Sequence, residues 1–185
     1  MALNAGRVKV FNSIAGGLGL ATLLAALWLA LPVVQAVAGE TRTMRIQVRD
    51  KERSTQYVLL PDQRGHVLAL VHRLGKAKLD SGETADFEAY CLIEAWMGKK
   101  GIRRGHSWLT LKGGSQIYYG WTADSRRNQD NLPSLEGKGD ITRGSGVFKG
   151  MKGKVTFKGV QVRPTSQDVQ RTRDNDLVIT YTLGD

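Results

Sequence analysis

From residue 85 to residue 97 the chain alternates without a break. Ala85, Phe87, Ala89, Cys91, Ile93, Ala95 and Met97 form one wholly apolar side. Asp86, Glu88, Tyr90, Leu92, Glu94 and Trp96 form the other. Successive side chains of a β-strand point to opposite faces, whereas a helical stripe recurs at three and four. Glu, Ala, Leu and Met are good helix formers, but thirteen residues of period two outweigh that preference. The segment predicts a strand with its apolar face on a core.

The same period recurs along the chain. Met44, Ile46 and Val48 alternate with Arg45, Gln47 and Arg49, and Tyr57 to Leu60 is an apolar run stopped by Pro61-Asp62. Val67 to Val71 is apolar on both faces and reads as a central strand, with a turn at Asp80-Ser81-Gly82. Strands follow at about 106–112 and 115–124 around Lys112-Gly113-Gly114, and Ile117, Tyr119, Trp121 and Ala123 share a face. Arg126 to Ser134 is polar, holds Pro133 and reads as a loop. Further strands are expected near 135–142 and 152–163, with a bulge or bend at Gly159. Leu177, Ile179, Tyr181 and Leu183 mark the last. About eight short strands and no helix after residue 40 predict an all-β fold, a small closed antiparallel barrel.

The first 39 residues differ from the rest. Arg7 and Lys9 are their only charges, and Ile14 to Val34 is almost entirely apolar. A basic start, an apolar helix, Pro32 and then Ala36-Val37-Ala38 before Gly39 fit a cleaved signal peptide, residues 1–38. The apolar run of about 21 residues is also long enough to span a bilayer. Both readings put the domain, 39–185, outside the cytoplasm: exported, and either periplasmic or secreted, or membrane-anchored through 10–34.

All 17 acidic residues and all but two of the 27 lysines and arginines follow residue 39, so the domain carries +8. That charge suits anionic partners or simply a soluble surface. The densest basic stretch is Lys99, Lys100, Arg103 and Arg104, which reads as a Gly-flanked hairpin loop and a contact for an anionic surface. No nucleic-acid motif accompanies it, so no nucleic acid is expected as partner. The single cysteine, Cys91, excludes an internal disulfide, and its apolar setting predicts a buried, inert thiol.

The segment Gly144-Ser145-Gly146-Val147-Phe148-Lys149-Gly150-Met151-Lys152-Gly153 carries glycines at a tight spacing, with Phe148 and then Phe157. It predicts a tight turn or bulged corner whose phenylalanines anchor it in the core. It lacks G-x-x-x-x-G-K-S/T, so it is not a phosphate loop. It resembles the signature of the allene oxide cyclase barrel-like superfamily, which includes dirigent proteins and bacterial exported proteins. Arg143 and Ser145 stand where that signature has glycine and threonine. Gly65-His66-Val67-Leu68 and Gly82-Glu83-Thr84-Ala85 are also similar to bacterial members, so the resemblance spans about 43–185. It implies an eight-stranded antiparallel barrel with a central cavity, often trimeric or dimeric in the plant members. It further implies cofactor-free steering of a reactive intermediate inside the barrel.

Catalytic residues are not identifiable: no serine sits in G-x-S-x-G, and no group beside Cys91 would activate it. His66, His72 and His106 fit no metal spacing, so no metal and no cofactor are expected. His66 and His72 do share a strand face. Asp86, Glu88, Tyr90, Glu94 and Trp96 are the candidate ligand-binding set. Lining a barrel, they would give a polar cavity with aromatic walls for a small apolar or aromatic ligand. Facing water, they would be an ordinary solvated face. Trp108, Tyr118, Tyr119 and Trp121 make an aromatic hairpin that is expected mostly in the core. Three functions are consistent with these residues. One is an exported non-enzymatic binding or accessory module. Another is a cofactor-free isomerase-like or cyclase-like steering protein. The last is a single-span structural subunit of a membrane complex. Self-association is compatible with each.

Overall fold

The structure, a computed structural model, describes residues 39–96, 101–165 and 171–184. The expected hydrophobic helix at the N-terminus, Met97, Lys99 and Lys100 lie outside these. The described residues form eight strands: β1 (Arg42–Leu59), β2 (His66–Leu79), β3 (Thr84–Trp96), β4 (Gly101–Leu111), β5 (Gln116–Arg127), β6 (Pro133–Ser145), β7 (Met151–Gln161) and β8 (Thr172–Leu183). Each pairs antiparallel with its sequence neighbours, and β8 returns to β1 to close the barrel. No helix among the described residues is long and apolar enough to cross a membrane.

The period-two faces decide which side is inside. Ala85, Phe87, Ala89 and Cys91 of β3 are buried, as are Ile117, Tyr119, Trp121 and Ala123 of β5. Leu109, Ile117, Val155 and Ile179 have no exposed surface, so side chains fill the middle of the barrel. Burying each such aliphatic side chain stabilises the fold by about 1.5–3 kcal/mol. The Gly-rich corner forms as expected. Gly146 and Gly150 adopt positive φ, and Phe148 and Phe157 are buried. A side chain on Gly146 would collide with Ser115 Oγ.

Four local expectations are corrected. The run at 44–48 and the run from 57, as far as Leu59, belong to one strand, β1, whose register shifts between Glu52 and Ser54. A bulge absorbs the extra residue there and bends the strand. The loop expected over 126–134 is shorter, 128–132, because β5 runs on to Arg127 and Pro133 opens β6, where a missing N–H is tolerated. Gly159 is no bulge, for its pairings with Leu135 and Asn175 continue both registers. It makes room, since a Cβ there would lie 2.2 Å from Asn175 Oδ1 and 3.0 Å from Arg173 Cδ. Finally, Arg103 and Arg104 are not in a loop, because β4 already begins at Gly101.

Candidate functional site at the barrel end

The ligand-binding set expected on β3 does not line the barrel. The apolar face of β3 takes the interior, so Asp86, Glu88, Tyr90, Glu94 and Trp96 fall on the outer wall. There they pair with β2. Asp86 bonds Lys76, and His72 Nε2 donates to Glu88 Oε1 at 2.9 Å. His66 Nδ1 lies 2.8 Å from both carboxylate oxygens of Asp62, its Nε2 lies 3.4 Å from Glu94, and its ring stacks on Trp96 at 4.4 Å. The face shared by His66 and His72 thus becomes a polar and aromatic ladder. It runs His72, Tyr90, Trp108, Tyr118, with centroids 4.2, 5.9 and 6.2 Å apart, and ends on the Arg143 guanidinium. Neighbouring rings of the ladder are stacked, with planes 1°, 22° and 30° apart. Asp86, Glu88 and Trp108 also border an open groove of about 680 Å³ with Leu74 and Lys76.

A different polar cluster lies inside, at the end of the barrel where β1 bulges. It is reached by following each apolar face one step further. On β1, Met44, Ile46 and Val48 are succeeded by Asp50, then Glu52. On β2, Ala69 and Val71 are succeeded by Arg73. On β4 the face of Leu109 and Ser107 reaches Arg103 through Gly105. On β8, Ile179 and Leu177 lead to Asn175 and Arg173. Asp50, Arg73, Asn175 and Arg173 are all buried. Arg103 is half-buried and Glu52 partly open to solvent, so the cluster sits at the rim.

Its pairings are unequal. Asp50 accepts from Arg73 Nε and, through its other oxygen, from Asn175 Nδ2 at 2.8 Å. Arg73 Nη2 also donates to the Arg171 carbonyl at 2.6 Å, and Glu52 lies 3.6 Å from Arg73 and 3.9 Å from Arg171. Both carboxylates are therefore occupied. Among the described residues Arg103 reaches only Ser125 Oγ, at 3.3 Å, and its Nε is buried without a partner there. Arg173 forms no ion pair with a carboxylate among the described residues.

The electrostatics follow from burial. Desolvation, with Arg73 and Arg103 adding repulsion, pushes Arg173 down to about 9. It therefore keeps its charge at neutral pH. Burial likewise lowers Arg103 and raises the Cys91 thiol, although Arg103 and Arg173 pull Cys91 the other way. The thiol stays protonated and is a wall of the site, not a nucleophile. A buried cation without a counter-ion is costly, and a planar guanidinium fork matches carboxylate or phosphate oxygens in a bidentate fashion. This end of the barrel can therefore accept an anion on Arg103 and Arg173.

Arg103 was expected beside Arg104 on a basic surface patch. Neighbours on a strand face opposite ways, so Arg104 is exposed outside while Arg103 turns inward. The sequence did carry a signal for the cluster: charged residues recurring in phase with the apolar faces of four strands. No single strand reveals that these positions meet.

No family model matches the chain, and no curated protein does. Among solved structures it is similar to two pterocarpan synthase dirigent proteins. GePTS1 is 11% identical, with 79% of this chain and 88% of that chain covered and a TM-score of 0.46. PsPTS1 is 9% identical, with 78% and 97% covered and a TM-score of 0.43.

Proposed function

We propose that this chain is an exported, non-enzymatic binding module that holds a small oxyanion, a carboxylate or a phosphate, at the arginine-lined end of its barrel. One observation carries the reading: among the described residues Arg103 and Arg173 form no ion pair with a carboxylate, while Asp50 and Glu52 are already engaged by Arg73 and Arg171. Charges buried in this way raise the free energy of the empty state, and an anion bound there recovers it. The export part rests on the uncharged apolar stretch behind Arg7 and Lys9. Steering an intermediate through the lumen is the reading the geometry favours less, because Leu109, Ile117, Val155 and Ile179 fill the middle.

The test is thermal unfolding of the full chain in phosphate, sulfate or acetate against chloride at matched ionic strength. Ligand at about a hundred times its Kd stabilises by about 2.7 kcal/mol, a rise in Tm of several degrees. The rise is expected with one of the oxyanions and is expected to vanish in Arg103→Met and Arg173→Met. An equal rise in both variants would show that the anions act elsewhere.

A further inference from the structure

The barrel closes between β8 and β1 only as far as Lys51, which pairs with Thr172. One more contact follows, from Glu52 N to the Arg171 carbonyl at 3.3 Å. Past the bulge, Ser54–Leu59 pair with β2 on one side, from Ser54 opposite His72 to Leu59 opposite Val67. On the other side they meet no strand among the described residues. The β1–β2 hairpin thus projects from the rim with an open backbone edge. Its apolar side chains are also uncovered: Tyr57 is 69% exposed, Val58 61% and Leu59 60%.

Strand edges of this kind are normally blunted by lysine, proline or a covering loop, or abolished by closure. None of Ser54 to Leu59 is lysine or proline. Two demands follow for whatever covers the edge. Backbone N–H and C=O groups need an extended strand as partner, which lipid cannot supply. The exposed Tyr-Val-Leu run needs an apolar surface. A second copy of the same edge meets both, since its backbone and side chains complement themselves about a two-fold axis. The charges agree with that arrangement. Arg53 precedes the run and Asp62 follows it. Antiparallel copies paired about Tyr57 set Arg53 of each opposite Pro61 of the other, beside Asp62.

We propose that Ser54–Leu59 is a docking edge on which two copies pair antiparallel, extending the barrel wall from one molecule into the next. Facing residues of an antiparallel pair share a face, so the two-fold axis passes through a residue, either Gln56 or Tyr57. This inference is independent of the anion site, which lies inside the barrel.

The full chain offers a direct test, because its one native cysteine is buried. Gln56→Cys and Tyr57→Cys would each be oxidised mildly at low protein concentration and read on a non-reducing gel. Self-facing residues are close enough for a disulfide, so a covalent dimer is expected from at least one. Arg104→Cys, on the outer wall away from the edge, is expected to stay monomeric. Arg53→Glu should reduce the cross-linked fraction several-fold, and adding Asp62→Arg should restore it. Each variant's melting curve establishes that it is folded. Folded variants that give no dimer would overturn the proposal. So would a dimer indifferent to the charge exchange, or cross-linking to a different protein.

Discussion

Asp50 is surrounded by more positive charge than it can balance. It is 1% exposed and bonds Arg73 and Asn175, while Arg103 and Arg173 lie within range of its charge or of each other's. Removing it takes away the closer of the two carboxylates that Arg73 meets and leaves it Glu52, 3.6 Å away. Asp50→Ala is expected to lower stability by about 3–5 kcal/mol in urea unfolding, the range for breaking a buried ion pair. Arg173→Met should act in the opposite sense. It removes an unpaired buried cation and keeps the volume, so without anion its Tm should match or exceed the parent's. The two stabilities should also differ with pH in a definite direction. In the free chain Arg173 holds its proton up to the ordinary arginine value, in the fold only to about 9. The unfolded chain therefore binds more protons between those values, and parent stability gains on the variant's as pH rises through that window. Below about 9 the penalty is fully present. A stability gap between parent and Arg173→Met that stayed constant from pH 8 to pH 11 would contradict this account.

Among the elements, β6 shows best how small residues shape the interior. Gly137 and Gly139 take inward positions where neighbouring strands would carry Leu or Val. A Cβ on Gly137 would lie 2.4 Å from the Phe157 ring, and one on Gly139 only 2.0 Å from the Gly120 carbonyl. The space is used by Phe157 and by Trp121, whose rings meet edge-on at 5.3 Å. Trp121 Nε1 then donates to Ser107 Oγ at 2.8 Å, which settles the one polar atom of that layer's indole. Gly139→Ala is expected to cost at least the 1–3 kcal/mol typical of overpacking, because the atom in its way is backbone and cannot rotate aside. Calorimetry of that variant beside the exposed Gly113→Ala, which has open space around it, separates collision from backbone stiffening. The same scale limits what could be read in advance. The strand at 85–97 was legible because its alternation is complete, and its apolar face does point inward. The start of β4 was not, because glycine and arginine there carry no alternation of hydrophobicity. The continuation of β1 through Lys51-Glu52-Arg53 was hidden for the same reason, and the bulge changes the phase midway.

At the scale of the whole molecule, closure is what creates the candidate site. Asp50 and Arg173 are 123 positions apart in sequence, and only the return of β8 to β1 brings them together. If the site holds an anion through Arg173, affinity for sulfate or acetate, which do not titrate in this range, should be flat from about pH 6 to pH 8 and fall above about 9 as the Arg173 proton is lost. Titration calorimetry with the oxyanion that raises Tm would measure this, and affinity unchanged at pH 10 would remove Arg173 from the contact. What the sequence determined by itself is local and periodic. The period-two faces determined the strands, the in-facing side of β3 and β5, the glycine-bearing turns and the burial of Cys91. Those properties follow from the alternation of side chains along one strand and from the φ range of glycine, both properties of short segments. The closed order of strands was an expectation from strand number and from resemblance, and the pairing of β8 with β1 realises it. Which charged residues meet inside was decided only by the tertiary structure. Register between strands depends on packing around the full circle, and it is register that sets Arg73 against Asp50, turns Arg103 inward, and leaves Ser54–Leu59 with an open edge.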